Sequence, residues 1–188
     1  FAPDGFLWAD ANAGYSVHEA LSIAPQLADA GVDVLESPLP PVHIQGYQAL
    51  KRQGALPIIM DEGIMSPVEL AAFCNLGMLD GVALKPARNA GLWPSKQIVD
   101  LLRRRGLMVL GSGLTDPDLA LAAAVHLYAA TGISQPCALN GPQFLGETLV
   151  VGDSSLTPVG DQLYVPRGPG LGAELDLGVL DFEVLATV

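Results

Sequence analysis

Four chemistry-bearing residues recur along this chain at almost one interval, each closing an apolar run: Asp10 in FLWADAN, Glu36 in VDVLESP, Asp61 in PIIMDEG and Lys85 in GVALKPAR. The separations are 26, 25 and 24 residues, the length of one strand and one returning helix with short loops. The runs are continuously apolar rather than alternating, as expected of parallel strands covered on both faces. In a (β/α) barrel, equivalent strand ends open onto one rim, and that rim carries the active site. The spacing therefore predicts three carboxylates and one amine around a single mouth. Crowded carboxylates repel one another unless a cation lies between them, and an all-oxygen set suits Mg²⁺, with Mn²⁺ as the alternative.

The helix punctuation supports the same period. Ser16-Val17-His18-Glu19 and Ser66-Pro67-Val68-Glu69 read as capping boxes, the second with proline at the first helical position. Asp116-Pro117 opens a further helix, and Gly31, Gly77, Gly106 and Gly132 stand where a left-handed residue closes one. These signals predict strands near 6–11, 32–37, 57–61, 81–86, 107–111 and 137–140, and helices near 16–30, 43–53, 66–76, 93–105 and 116–131. The fold class is α/β, a barrel of the TIM type that is incomplete by two strands. The chain has 188 residues, against about 250 for a complete eight-unit barrel.

From residue 141 the texture changes to a Gly/Pro-rich tail, with strand candidates near 148–151 and 162–165. Residues 1–142 read as the partial barrel carrying the catalytic metal site, and 143–188 as a tail returning toward a capping domain outside the chain. The cluster Gly168-Pro169-Gly170-Leu171-Gly172 lacks the Lys-Ser/Thr that a phosphate loop needs, so it reads as a crossing loop.

Composition narrows the function classes. The net charge of −11 weighs against nucleic-acid binding, and Arg103-Arg104-Arg105 closes a helix, where cations suit the dipole. No apolar run approaches the roughly 18–20 residues of a membrane span, and no basic-then-apolar signal opens the chain. Cys74 and Cys137 give neither a disulfide framework nor metal-ligand spacing, which favours a reduced, cytoplasmic setting. The chain opens on Phe1 rather than methionine, so an upstream segment is expected. His126 reads as packed, His18 and His43 as exposed, Trp8 and Trp93 as core or interface aromatics. The helix over 119–130 is apolar nearly all round, which suits burial between the barrel and another surface, such as a partner subunit in a homo-oligomer.

The series DAN, ESP, DEG and LKPARNAG, in this order at successive strand ends, resembles the enolase superfamily. More narrowly it resembles the muconate lactonizing branch of its mandelate racemase/muconate lactonizing group, over roughly residues 6–142. The resemblance implies that Asp10, Glu36 and Asp61 are Mg²⁺ ligands and that Lys85 is the acid/base lysine of the sixth barrel strand. It implies that Asn12 and Glu62 support the metal and the lysines, and it puts Ser112 and Asn140 at supporting or substrate-binding positions. The family's Lys-x-Lys, which supplies the opposing base, and its N-terminal cap belong to segments preceding this chain's first strand. Where muconate cycloisomerases typically carry a glutamate after the seventh strand, this chain has Leu110-Gly111-Ser112-Gly113. Where dipeptide epimerases carry Asp-x-Asp, it has Ala138-Leu139-Asn140.

The implied chemistry is removal of a proton α to a carboxylate, which places two negative charges on one small enolate. A divalent cation stabilises that charge as a Lewis acid, and a lysine base must be neutral to accept the proton. Racemase or epimerase is the favoured reading for a small carboxylate substrate, with cycloisomerase or dehydratase next. Two alternatives stay open. One is a phosphate-binding barrel isomerase using Gly111-Ser112-Gly113 ahead of the helix at Asp116. The other is a non-catalytic fragment or subunit that requires its upstream part. Any single Asp or Glu after a strand is as readily a cap or a surface turn; the weight lies in three at matched spacing with a lysine next.

Overall fold

The computed structural model describes residues 5–151 and 156–178. Five parallel strands pair in chain order: β1 (Trp8–Asp10), β2 (Val34–Glu36), β3 (Ile58–Met60), β4 (Gly81–Leu84) and β5 (Met108–Gly111). Between them run α1 (Val17–Asp29), α2 (Ile44–Gln53), α3 (Pro67–Asn75) and α4 (Leu92–Arg104). After β5 comes α5 (Asp118–Thr131), then a 3₁₀ turn at Pro142–Phe144. The sheet is a curled half-barrel with helices outside it.

Side chains on a strand alternate between faces, and that parity sorts the core into two layers. Leu35, Ile58, Met60, Val82 and Leu84 point outward and pack with Ala20, Tyr47, Leu50, Leu70, Ile98 and Leu102 of the helices. Val34, Ile59, Ala83 and Leu110 point inward and pack with Phe6, Trp8 and Met108. Full burial of each large apolar side chain contributes about 1.5–3 kcal/mol. Counting on by two from the inner set reaches Glu36 from Val34, Asp61 from Ile59 and Lys85 from Ala83. The register pairs Asp10 with Glu36 across β1 and β2, so Asp10 joins the same row. Gly81 lets the strands approach, because a Cβ there would sit 2.6 Å from Met108 Cβ and 2.7 Å from its carbonyl oxygen.

The caps form with two departures. Ser16 and Glu19 make the reciprocal box. Ser66 accepts from the Val68 N–H with Pro67 in the first turn, but the Glu69 carboxylate accepts from the Ser66 hydroxyl instead of closing the box. Asp116 does not cap α5; Pro117 stands at the cap position, and Asp116 Oδ2 turns back to accept from the Leu114 N–H. Gly132 ends α5 in the left-handed conformation as predicted, and Gly54 does the same for α2 without having been predicted.

The sixth predicted strand, 137–140, does not form. It is reduced to one parallel bridge, Ser112–Ala138. Pro136 precedes it and has no N–H to give a ladder, while the Asn140 carbonyl turns away to accept from the Asp116 N–H. The candidates near 148–151 and 162–165 shrink to single antiparallel bridges, Val150–Leu175 and Val159–Gln162. Residues 152–155 and 179–188 of the expected tail lie outside the described residues.

The apolar outer face of α5 is covered by the chain's own tail. Leu121, Ala122 and Val125 pack with Leu156, Leu163, Leu171 and Ala173 of the tail, and the His126 ring lies 3.1 Å from the Leu171 carbonyl oxygen. Asp118, fully buried, accepts from the Leu149 N–H and the Thr148 hydroxyl, tying the tail to α5. Trp93, expected in a core or interface, is 68% exposed. Among the described residues no helix is long and apolar enough to cross a membrane.

Candidate active site

The inner row of carboxylates meets Lys85 at the C-terminal ends of the strands. Glu36 is only 2% exposed. Its Oε2 accepts from the Trp8 indole N–H at 2.5 Å, while its Oε1 is buried without a hydrogen-bond partner. Burial, then the charges of Asp10 and Asp61, push its pKa up to about 8. Asp10 ends the first strand and accepts from the Asn12 N–H at 2.8 Å. The residue is exposed overall, but loss of water around its carboxyl, followed by the charges of Glu62 and Asp61, raises its pKa.

Asp61 carries the site's cationic partners. Lys85 Nζ donates to its Oδ2 at 2.6 Å, and the Arg88 guanidinium pairs with Oδ1, away from the hydrogen-bonding direction. The loop after β4 is built to hold these cations. Arg88 and Asn89 N–H groups both return to the Lys85 carbonyl. Asn89 Oδ1 accepts from the Lys85 N–H at 2.7 Å, and its amide donates to the Ile64 carbonyl, binding the loops after β3 and β4 together. Glu62 stands beside Asp61 with Oε2 buried and unpartnered.

Four carboxylates, Asp10, Glu36, Asp61 and Glu62, thus face two cations, Lys85 and Arg88. Buried carboxylate oxygens on Glu36 and Glu62 lack hydrogen-bond donors, although buried polar atoms are nearly always satisfied. Hard oxygen donors, surplus negative charge and orphaned oxygens fit a divalent cation. The group is not closed around one point. Among the described residues no three His, Cys, Asp or Glu side chains are arranged to hold an ion, and Asp61 is engaged by Lys85 and Arg88.

The remaining predicted residues divide. Asn12 is exposed, with a left-handed φ of 45°, and brings its backbone rather than its side chain to Asp10. Ser112 is buried, its N–H donating to the Leu84 carbonyl and its own carbonyl accepting from the Tyr128 hydroxyl. Asn140 closes the β5 loop, its Oδ1 accepting from the Thr115 N–H at 2.7 Å. These bonds weigh against the phosphate alternative. The N–H groups of Ser112, Leu114, Thr115 and Asp116 are all taken by protein acceptors, so the loop has no row of free donors for an anion.

Residues 1–179 match the enolase C-terminal domain-like family. The chain belongs to the enolase superfamily, in its mandelate racemase/muconate lactonizing group. It is 29% identical over 169 residues to muconate cycloisomerase 1 of Rhodococcus opacus, covering 89% of this chain and 45% of that protein. It is 30% identical over 188 residues to an N-succinylamino acid racemase of Amycolatopsis, covering 100% of this chain and 50% of that protein. Its fold superposes on the crystal structure of 2-chloromuconate cycloisomerase from Rhodococcus opacus 1CP with a TM-score of 0.81 at 28% identity, over 91% of this chain and 46% of that one. The chain spans about half the length of the curated relatives it matches.

Within this enolase-superfamily half-barrel, sequence reasoning passed over three residues that shape the mouth. Arg88 and Asn89 lie inside the LKPARNAG stretch, three and four residues after Lys85, a spacing that a tight turn brings back onto the strand end. Trp8 precedes Asp10 by two, so strand parity alone puts it on the inner face.

Proposed function

We propose that this chain provides the metal-binding and lysine-bearing half of an isomerase that removes the proton α to a carboxylate, with racemisation or epimerisation as its outcome. One observation carries the reading. Asp10, Glu36, Asp61 and Lys85 follow one another on the inner face of adjacent strand ends, with buried carboxylate oxygens left unpartnered. Asp10, Glu36 and Asp61 would hold Mg²⁺, supported by Glu62 and by the Asn12 backbone. When bound, the ion supplies Lewis-acid stabilisation of the charge that develops on the substrate carboxylate.

Lys85 is the group that moves the proton. It is held against Asp61 at 2.6 Å, so it serves as a base once Asp61 turns to another cation and Arg88 stays to balance the remaining charge. Asn89 fixes the start of the Lys85 loop and keeps the amine on the inner face. Racemisation needs a second group on the opposite face of the substrate. Lys51 pairs with Asp80 and Lys96 with Asp100, away from the mouth. The opposing group in this reading comes from the length of the relatives that this chain does not span.

The racemase reading draws on a likeness that runs through the whole chain, and it implies a small N-acyl amino acid as substrate. Cycloisomerisation of a muconate is the second reading, drawn from the relatives of that name. The end of β5, Gly111-Ser112-Gly113, offers it no acidic side chain. The test incubates the protein with Mg²⁺ in D₂O and either enantiomer of an N-succinylamino acid. Deuterium should enter the α-carbon, and Lys85→Met should abolish exchange from one enantiomer, a loss of about 10²–10⁴-fold. Exchange equal for both enantiomers in Lys85→Met would remove Lys85 from the mechanism. Lactone formation from muconate without racemisation would select the second reading.

A further inference from the structure

The inner face below the mouth is apolar except at one point. Trp8 lies two residues before Asp10, its ring packed with Val34, Ile59, Ala83 and Leu110 in the layer beneath the carboxylates. From there its indole N–H reaches up and diagonally across the β1–β2 pair to Glu36 Oε2, at 2.5 Å. The register brings the two side chains within reach: Trp8 pairs with Val34, and Glu36 is the next inward residue on β2. The contact is part-buried, with Glu36 itself only 2% exposed.

We propose that Trp8 is a positioning residue that holds Glu36 by one oxygen, so that Glu36 presents only Oε1 to a divalent cation. The inference rests on the reading of Glu36 as a cation ligand. Three features support it. The indole N–H is a donor only, so it orients a carboxylate without competing for the cation. It occupies Oε2 and leaves Oε1 as the buried oxygen with no partner, which makes Glu36 a one-oxygen ligand. The partly buried indole packs on the inner apolar layer, and a ligand whose supporting hydrogen bond is already positioned loses little freedom on binding.

The test uses Trp8→Phe, which keeps an aromatic ring and removes the donor. Isothermal titration with MgCl₂ is compared with wild type, and melting temperatures are taken in EDTA. Mg²⁺ affinity should fall roughly 10–100-fold, with the melting temperature in EDTA nearly unchanged. Trp8→Met provides the same comparison if the phenylalanine variant does not fold. In parallel, the Trp8 indole proton, observed by NMR in a Trp93→Phe background, should exchange slowly with water and lose that protection in Glu36→Leu. Wild-type Mg²⁺ affinity in both Trp8 variants would overturn the proposal while leaving the metal reading intact. Absence of Mg²⁺ binding by the wild type would overturn the metal reading and the ligand role of Glu36 with it. An indole proton indifferent to Glu36→Leu would remove the hydrogen bond on which the proposal stands.

Discussion

The two ends of this half-barrel use the same acidic residues in opposite ways. At the N-terminal ends of the strands, Asp33 accepts from the Leu7 N–H at 2.6 Å, and Asp80 accepts from the Ile58 N–H at 2.8 Å while pairing with Lys51. Each carboxylate there fastens one strand to the next. At the C-terminal ends, Glu36 and Glu62 keep buried oxygens without donors, and Glu36 is driven toward its protonated form. An unsatisfied buried acceptor costs about 1–3 kcal/mol, so the mouth holds strain that the opposite end avoids. Left-handed residues other than glycine cluster there too, at Asn12, Ala13, Ser37 and Thr115. In barrels of this kind the C-terminal face is where chemistry resides and the other face is where stability resides; here the difference is visible in which carboxylates have partners.

The comparison is sharpest where it can be broken. Asp61 is the one mouth carboxylate with cationic partners, and Asp61→Asn leaves Lys85 and Arg88 buried beside a neutral amide. Removing one member of a buried pair costs about 3–5 kcal/mol. The lower figure is expected here, because the Arg88 side chain keeps 21% of its surface in water. Urea unfolding in EDTA measures it. A metal-free protein indifferent to Asp61→Asn would mean that the mouth carries no stabilising ion pair.

At the other end, Asp80→Ala strips the Ile58 N–H of its acceptor and Lys51 of its counterion. Stability should fall by about 1–3 kcal/mol, while Mg²⁺ affinity and exchange rate stay at the wild-type level. Loss of Mg²⁺ binding in this variant would show that the two ends are coupled, and the division of labour would fail.

The smallest effect is a slope. Glu36 titrates at about 8 in the folded protein against an ordinary 4.5. Between those values the folded state holds a proton that the unfolded chain has released, so stability falls as pH rises through that window. One such group contributes at most about 1.4 kcal/mol per pH unit. Asp10 and Asp116, also raised, act in the same direction. Denaturation in EDTA at pH 5.5, 6.5 and 7.5 should show the decline, and Glu36→Gln should flatten it. Stability rising with pH across this range in the wild type would contradict a protonated Glu36.

Asp10, Glu36, Asp61 and Lys85 could be placed on one rim from the chain alone, for two local reasons. A βα unit has a nearly constant length, and a strand has a period of two, so matched spacing after apolar runs is a geometric statement that needs no partner residues. The same locality explains Ser16-Glu19 and the glycine stops, whose partners lie within one helical turn. The predicted strand at 137–140 failed on a property of its surroundings. Its short apolar run Cys137-Ala138-Leu139 permits a strand, but Pro136 and the turn of Asn140 toward Asp116 leave one bridge in place of a ladder. The outer face of α5 was equally opaque, because an apolar stripe says that something covers it and not what; the tail does.

Within the mouth, the chain by itself determined which side chains arrive and on which face. Tertiary structure alone decided how they pair: that Asp61 takes both Lys85 and Arg88, that Trp8 reaches Glu36 across two strands, and that Asn140 closes the loop after β5. These contacts join residues 24 to 28 positions apart. Their distances depend on sheet curl, rotamer and burial, and none of those is written in the spacing of the residues involved.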